Sequence, residues 1–148
     1  MQQKFSATTV ATPAELFAVV GDISTYPEWL DVVSHVEATE ESDAWLVTLK
    51  ARVGPFSRSK RLRMVRTIHD PGSVSEVRFE RREIDGKEHS DWVLAATVQP
   101  AEGGDPTQRS TVSLELDYDG AMWSGLLDGV LGAAADRATA KLQAYVRP

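Results

Sequence analysis

The spacing of apolar residues divides the chain into an opening strand, a helical segment, a long series of strands and a final helix. The run Lys4–Val10 is rich in β-branched residues and partly alternates apolar with polar side chains, which predicts a first strand. Between Val32 and Asp119 the apolar residues recur at about every second position, as in strands with one buried face. Over Ala121–Val146 they recur at three- and four-residue steps, which predicts one long amphipathic helix.

Two short helices are predicted between the first and second strands. Thr12 can cap the first free amides of a helix, while Glu15, three residues later, can reach back to the N–H of the cap. Pro13 then occupies the first helical position, where its missing N–H costs nothing. This helix is expected to end near Gly21. A second, shorter helix is predicted through Tyr26–Leu30, again with a proline at its start.

The middle of the chain is predicted to form six strands joined by short turns. Asp85-Gly86 is typical of a two-residue hairpin turn, because glycine accepts a positive φ. Since parallel strands need long crossover connections, the short ones predict an antiparallel meander. The six runs are Val32–Thr39, Trp45–Val53, Arg58–Ile68, Ser73–Ile84, His89–Gln99 and Ser110–Tyr118.

This order of elements predicts an α+β fold, in which a seven-stranded curved antiparallel sheet wraps round the long C-terminal helix. Only one long helix is available to cover one face of the sheet, and a curved sheet round a single helix leaves a cavity between them. The chain has 148 residues, of which 42% are hydrophobic, and this suits a single domain over residues 1–148.

Composition narrows the classes of function. With no cysteine, disulfide frameworks, zinc–thiolate sites and cysteine nucleophiles are excluded. The net charge of −6 argues against general nucleic-acid binding. One segment has seven basic residues and no acidic one, and we call it the basic strip: Lys50, Arg52, Arg58, Lys60, Arg61, Arg63 and Arg66. It is interpreted either as a solvated face or as a contact for phosphate, a membrane surface or RNA.

The segment Ala11–Leu30 resembles the opening of the START-like (SRPBCC) superfamily, and specifically its polyketide cyclase/dehydrase branch. Asp91-Trp92-Val93-Leu94 resembles the Trp-bearing strand of that family, and Gly125–Leu131 resembles the start of its last helix. The resemblance covers nearly all of the chain and implies the helix-grip fold. It also implies a cavity between sheet and helix for a lipid, quinone, sterol-like or polyketide molecule, and some members are aromatase/cyclases.

Strand alternation, together with the apolar stripe of the last helix, provides the candidate residues for lining that cavity, although core packing alone would account for any one of them. Two arginines, Arg66 and Arg81, are in step with apolar neighbours (Arg66 with Met64 and Ile68), and each could bind a carboxylate or phosphate or turn outward at a strand end. The candidates are Phe5, Trp45, Val47, Leu49, Leu62, Met64, Arg66, Val77, Phe79, Arg81, Trp92, Leu94, Leu114, Leu116, Tyr118, Trp123, Leu127 and Leu131.

Catalytic and cofactor motifs are scarce. His35, His69 and His89 fall on separate strands or at their ends, where surface or hydrogen-bonded roles are favoured. The sequence has no metal-ligand spacing, nucleophile elbow, phosphate loop or dinucleotide fingerprint, so neither a metal nor a cofactor is expected. The absence of a spanning apolar stretch and of a signal-like N-terminus favours a cytoplasmic protein. The sequence leaves open whether it is a monomer or a dimer.

Three hypotheses follow from the sequence. The first is binding or transport of a small hydrophobic or amphipathic ligand in the cavity. The second is a polyketide cyclase, dehydratase or aromatase, in which Arg66, Arg81, Tyr118 or a histidine polarises a carbonyl or transfers a proton. The third is binding of a macromolecular partner through the basic strip, although nucleic acid is disfavoured by the overall charge.

Overall fold

A seven-stranded antiparallel sheet forms the body of the protein. The structure is a computed structural model that describes residues 2–53, 55–103, 109–119 and 136–146. The strands are β1 (Gln2–Thr9), β2 (Val33–Ala38), β3 (Ala44–Val53), β4 (Phe56–Asp70), β5 (Ser75–Arg81), β6 (Trp92–Pro100) and β7 (Ser110–Tyr118). Helix α1 (Pro13–Val20) and a 3-10 helix (Ile23–Glu28) follow β1, and residues 136–146 are helical and are called α2.

The strand order is β1-β7-β6-β5-β4-β3-β2, and every neighbouring pair is antiparallel. The predicted α+β class and the meander from β2 to β7 are confirmed. Because β1 pairs with β7 while β2 lies at the other edge, α1 and the 3-10 helix carry the chain from one edge of the sheet to the other.

The core lies on the face of the sheet that carries alternate residues of each strand. In β5 and β6, for example, every second residue is buried while its neighbours are partly exposed. The largest fully buried side chains are those of Trp29, Trp92, Tyr26, Tyr118 and Phe79. Helix α2 adds Ala138, Leu142 and Val146 to the same cluster. Each large apolar side chain contributes roughly 1.5–3 kcal/mol through its removal from water.

Helix α1 begins as predicted. The Thr12 hydroxyl accepts a hydrogen bond from the Glu15 backbone N–H at 3.1 Å, and Pro13 occupies the first turn. The helix ends at Val20, where the Gly21 N–H donates to the Phe17 carbonyl at 2.8 Å. Local sequence chemistry is therefore sufficient to set both ends of this element.

The second helix differs from its prediction in type and position. It is a 3-10 helix that begins after Asp22, whose carboxylate accepts from the Ser24 N–H at 3.0 Å. Pro27 lies inside this helix and not at its start. The prediction of a helix over Tyr26–Leu30 is therefore wrong in its bounds, because the Asp22 cap starts the turn earlier than the proline suggested.

The connection between β5 and β6 is also not the predicted two-residue hairpin. Strand β5 ends at Arg81 and β6 begins at Trp92. Beyond β5 the chain stays on β4, because the Arg82 N–H donates to the Arg63 carbonyl at 2.9 Å and the Glu83 carboxylate accepts from the Arg63 N–H at 3.0 Å. Gly86 has the expected positive φ of 72°, but within a longer loop.

A bulge in β4 changes which residues face the core near the end of the strand. The register with β5 shifts between Arg66, which lies opposite Phe79, and Ile68, which lies opposite Arg78. His69 then lies opposite Val77, on the face of the core. The prediction that Ile68 shares a face with Arg66 is therefore wrong, since one extra residue reverses the alternation.

Helix α2 is attached to the segment after the 3-10 helix by one carboxylate. Asp31 accepts from Arg137 Nε at 2.7 Å and from Lys141 Nζ at 2.5 Å. The hydrogen bonds from Lys141 and then Arg137 hold the pKa of Asp31 below its usual range. Residues 121–135 of the predicted helix lie outside the described residues. Within the described ranges, no helix has the length and apolarity needed to cross a membrane.

Candidate ligand cavity

A small cavity lies against the concave face of the sheet, with a volume of about 30 Å³. Every described residue that lines it is apolar, and no ionisable side chain is among them. The lining residues are Ile23, Leu30, Val32, Val33, Val47, Leu49, Leu62, Met64, Trp92, Leu94 and Leu116.

Two strand pairs build the sheet side of the cavity. In one pair Val47 on β3 lies opposite Leu62 on β4, and in the other Leu94 on β6 lies opposite Leu116 on β7. Residues directly opposite each other in an antiparallel pair point to the same face, so strand alternation brings these side chains together. Seven of the predicted site residues line the cavity: Val47, Leu49, Leu62, Met64, Trp92, Leu94 and Leu116.

The remaining lining residues come from the 3-10 helix, the segment after it and the first residue of β2: Ile23, Leu30, Val32 and Val33. These four residues are not among the predicted ones, because those came from the alternation within other strands and from the apolar stripe of the last helix. A usable signal was present, since Trp29, Leu30, Val32 and Val33 form an apolar cluster interrupted only by Asp31. All four of these apolar residues are buried.

Other predicted site residues lie on the same face but belong to the packed core beside the cavity. Phe79 contacts Tyr26 and Trp45 edge-on, with ring centroids 6.0 and 5.9 Å apart. Phe5 and Trp45 are partly buried against the cluster. The set outside the cavity lining is Phe5, Trp45, Val77, Phe79, Leu114 and Tyr118. Trp123, Leu127 and Leu131 lie outside the described residues.

Arg66 does not reach the cavity. Its Nη1 donates to the Gly21 carbonyl at 3.0 Å, its Nη2 donates to Asp43 at 3.1 Å, and its guanidinium lies 5.6 Å from the Trp45 ring centroid. It faces a separate open cleft of about 530 Å³ between α1 and the β4–β5 turn, here called the α1 cleft. The α1 cleft is lined by Pro13, Ala14, Phe17, Ala18, Gly21, Asp22, Arg66, His69, Pro71, Gly72 and Ser75.

Two of the three histidines have structural surroundings outside the cavity. The His69 ring stacks on Phe17, with centroids 5.3 Å apart and an interplanar angle of 13°. His35 is exposed on β2, where it lies opposite Thr48. Neither residue lines the cavity.

Arg81 is more deeply buried than Arg66, with only 8% of its side chain exposed. Its Nε donates to the Glu83 carboxylate at 3.0 Å, and its Nη1 donates to the Ser90 hydroxyl at 3.2 Å. His89 lies beside it and contacts Asp85 at 2.9 Å. The Lys87 backbone N–H, followed by His89, lowers the pKa of Asp85.

The basic strip is partly neutralised by residues that are distant in sequence. Arg61 contacts Glu37 at 2.6 Å, and Arg63 contacts Glu41 at 2.6 Å. Both carboxylates come from β2 or the turn that follows it, and Asp43 in the same turn contacts Arg66. These pairs favour the interpretation of the strip as a solvated face, because paired charges at a surface attract an external anion less strongly.

The other chemical groups near the core have structural partners. The Tyr26 hydroxyl donates to the Val20 carbonyl at 2.6 Å, and burial, with a smaller effect from Asp22, raises its pKa far above the ordinary value. Among the described residues, no cluster of three or more histidine, aspartate or glutamate side chains could hold a metal ion. The described lining of the cavity therefore provides apolar contact and no acid or base.

The family model described as polyketide cyclase/dehydrase and lipid transport matches residues 2–147. A search of curated protein sequences finds no match to the chain.

Three solved structures illustrate the similarity of fold. A START superfamily protein from Mycobacterium smegmatis is 11% identical with a TM-score of 0.68, covering 97% of this chain and 98% of its own. Human StAR-related lipid transfer protein 5 is 12% identical with a TM-score of 0.67, and the match covers 98% of this chain and 74% of the human one. The Zhui aromatase/cyclase from Streptomyces is 16% identical with a TM-score of 0.60, covering 99% and 93%. At these identities the comparison shows a shared helix-grip fold.

Proposed function

Because the chain belongs to the polyketide cyclase/dehydrase and lipid transport family, we propose that it binds a small hydrophobic or amphipathic ligand in the cavity on the concave face. Family and fold make it a ligand-binding or polyketide cyclase-like START domain. The observation that carries the choice of binding is the wholly apolar set of described lining residues. Such a surface favours an apolar ligand by roughly 25 cal/mol per Å² removed from water.

The volume of the cavity limits how a ligand enters. A space of about 30 Å³ accepts only about one or two water-sized groups. A lipid, quinone or polyketide therefore binds only if lining side chains move apart. Met64 is suited to this, because its unbranched side chain adopts several shapes at small cost.

The cyclase hypothesis has support from the family and from the Streptomyces aromatase/cyclase of similar fold. It requires an acid or base within about 2.6–3.2 Å of the reacting atoms. Arg66, Arg81 and Tyr118 are all absent from the described lining, so none of them lies within the cavity itself. Binding without chemistry is therefore the better-supported proposal.

A filled-cavity variant tests the proposal. Leu49→Trp replaces an aliphatic side chain of the cavity with a larger indole ring. Leu46→Trp adds the same ring three residues away, on the opposite face of β3. Tm would be measured with and without a fatty acid, a quinone and an aromatic polyketide. We expect at least one compound to stabilise the wild type by about 2.7 kcal/mol at a concentration of 100 Kd.

The Leu49→Trp variant is expected to lose that stabilisation and the Leu46→Trp variant to retain it. Native mass spectrometry would check that the compound binds one to one. Equal stabilisation of wild type and Leu49→Trp would place the ligand elsewhere. The absence of any stabilisation of the wild type by all three compounds would contradict the binding proposal.

A further inference from the structure

Three polar side chains meet at one end of the cavity face: Lys60, Arg81 and Ser90. Lys60 precedes Leu62 by two residues on β4, and Ser90 lies just before β6, two residues ahead of Trp92. Arg81 lies opposite Met64 at the end of β5. Leu62, Met64 and Trp92 all line the cavity. The polar group is therefore a continuation of the lining and not part of the outer surface.

The two cations converge on one oxygen atom. Lys60 Nζ donates to Ser90 Oγ at 3.2 Å, and Arg81 Nη1 donates to the same oxygen and to the Ser90 carbonyl, each at 3.2 Å. Lys60 Nζ also lies 5.8 Å from the centroid of the Trp92 ring. One neutral hydroxyl thus accepts from two positive groups at the rim of an apolar cavity.

The two cations of this cluster differ in their ion pairs. Glu83 pairs with Arg81 Nε at 3.0 Å, but no ion pair among the described residues includes Lys60. Burial, followed by the nearby Arg81 guanidinium, lowers the pKa of Lys60, while the Asp119 and Glu83 carboxylates have smaller, opposite effects. A half-buried ammonium without a carboxylate partner is costly, so an anion placed there would be bound favourably.

We propose that Lys60, Arg81 and Ser90 bind the carboxylate of an amphipathic ligand, whose apolar part enters the cavity past Trp92. This inference rests on the proposed function and specifies its ligand class. A carboxylate fits better than a phosphate, because Glu83 pairs with Arg81 and Asp119 also acts on Lys60, so a doubly charged head would be repelled more strongly than a singly charged one. The two carboxylate oxygens would accept from Lys60 Nζ and Arg81 Nη1, which now share a single hydroxyl.

The test compares three molecules that have the same chain and different heads: octanoate, octanol and octyl phosphate. Their Kd values would be measured by calorimetry with the wild type, Lys60→Met, Lys60→Arg and Arg61→Met. Lys60→Met keeps the stem and removes the charge. Arg61→Met removes a charge from the next residue of β4, on the opposite face, where Arg61 pairs with Glu37.

We expect octanoate to bind the wild type about tenfold more tightly than octanol or octyl phosphate. Lys60→Met should weaken octanoate by about the same factor and leave octanol unchanged, while Lys60→Arg and Arg61→Met should bind octanoate like the wild type. A melting curve for each free variant would verify that it is folded.

Each other outcome has a separate meaning. If octanoate and octanol bind equally and Lys60→Met changes neither, the carboxylate site is wrong while the apolar cavity stands. Tighter binding of octyl phosphate than of octanoate would overturn the choice of a singly charged head. If none of the three molecules binds, both this inference and its premise of an accessible apolar cavity fail.

Discussion

Arg66 and Arg81 occupy equivalent places in the sequence pattern, yet they have different surroundings. The two positions are close, since Arg66 lies opposite Phe79 and Arg81 lies opposite Met64 in the same strand pair. Arg66 turns toward the α1 cleft and is held by a main-chain carbonyl and Asp43. Arg81 turns toward Ser90 and shares that hydroxyl with Lys60.

The difference shows that an inward-facing cation indicates a binding site only when the charges around it are also known. The carboxylate partner of Arg66 is 58% exposed, so water can replace it. The Arg81 side chain is 8% exposed, and its partner Glu83 is 19% exposed. Charge pairs that are screened by water contribute little, whereas removing one partner of a buried pair leaves an uncompensated charge.

The largest effect is expected from Arg81→Met. This change leaves the Glu83 carboxylate without its guanidinium partner in a mostly buried position. We expect the free energy of unfolding to fall by about 3 kcal/mol. Urea denaturation would measure it, with Arg82→Met as the neighbouring control, because the Arg82 side chain is 60% exposed. An equal, small effect of the two substitutions would show that burial does not distinguish Arg81.

A smaller effect is expected from Arg66→Met. Its loss leaves the Gly21 carbonyl without the Nη1 donor, but Asp43 can be solvated. We expect a decrease of about 1 kcal/mol in the free energy of unfolding. A double-mutant cycle with Asp43→Asn should give a coupling energy below about 1 kcal/mol. A coupling energy as large as the Arg81→Met effect would remove the contrast between the two arginines.

The smallest effect, with a dependence on pH, is expected from Lys60→Met. The folded state lowers the pKa of Lys60 from its ordinary value of 10.5, so the unfolded chain binds more protons as the pH rises toward that value. Relative to Lys60→Met, the wild type should therefore gain stability as the pH rises from neutral toward 10.5. At pH 7 the free energy of unfolding of the variant should equal that of the wild type or exceed it by up to about 0.5 kcal/mol.

Melting curves of both proteins across that pH range would check the prediction. Arg61→Met is again the control. The Arg61 guanidinium of the wild type stays charged throughout this pH range, so its removal should have an effect that does not depend on pH. A wild type that loses stability relative to Lys60→Met as the pH rises would mean that the ammonium is stabilised in the folded protein, contrary to the cost of its burial.

Much of the fold could be predicted from local patterns. The alternation in β3, β6 and β7 and the cap at Thr12 are visible in short windows, and the structure has strands and a helix there. The failures have local causes as well. The bulge between Arg66 and Ile68 adds one residue without a distinct sequence signal, and the cap at Asp22 starts the 3-10 helix before Pro27.

The candidate site was predicted less completely than the fold. Strand alternation identified Val47, Leu62 and Leu94 on the cavity face, but it could not separate lining from packed core. Phe79 has the same pattern, but the space beside its ring is occupied by Tyr26 of the 3-10 helix, which is distant in sequence. Lys60 was grouped with the basic strip, although its strand position places it on the cavity face beside Leu62.

The sequence by itself determined the α+β class, the antiparallel meander and the face on which the core lies, because each depends on the spacing of residues within a strand or turn. Only the tertiary structure decided the size of the cavity and the partners of the charged residues. Those depend on groups that are far apart in the chain, such as Lys60 and Ser90, or Arg61 and Glu37. Folding brings them within hydrogen-bond distance, where a charge is either neutralised or left to bind a ligand.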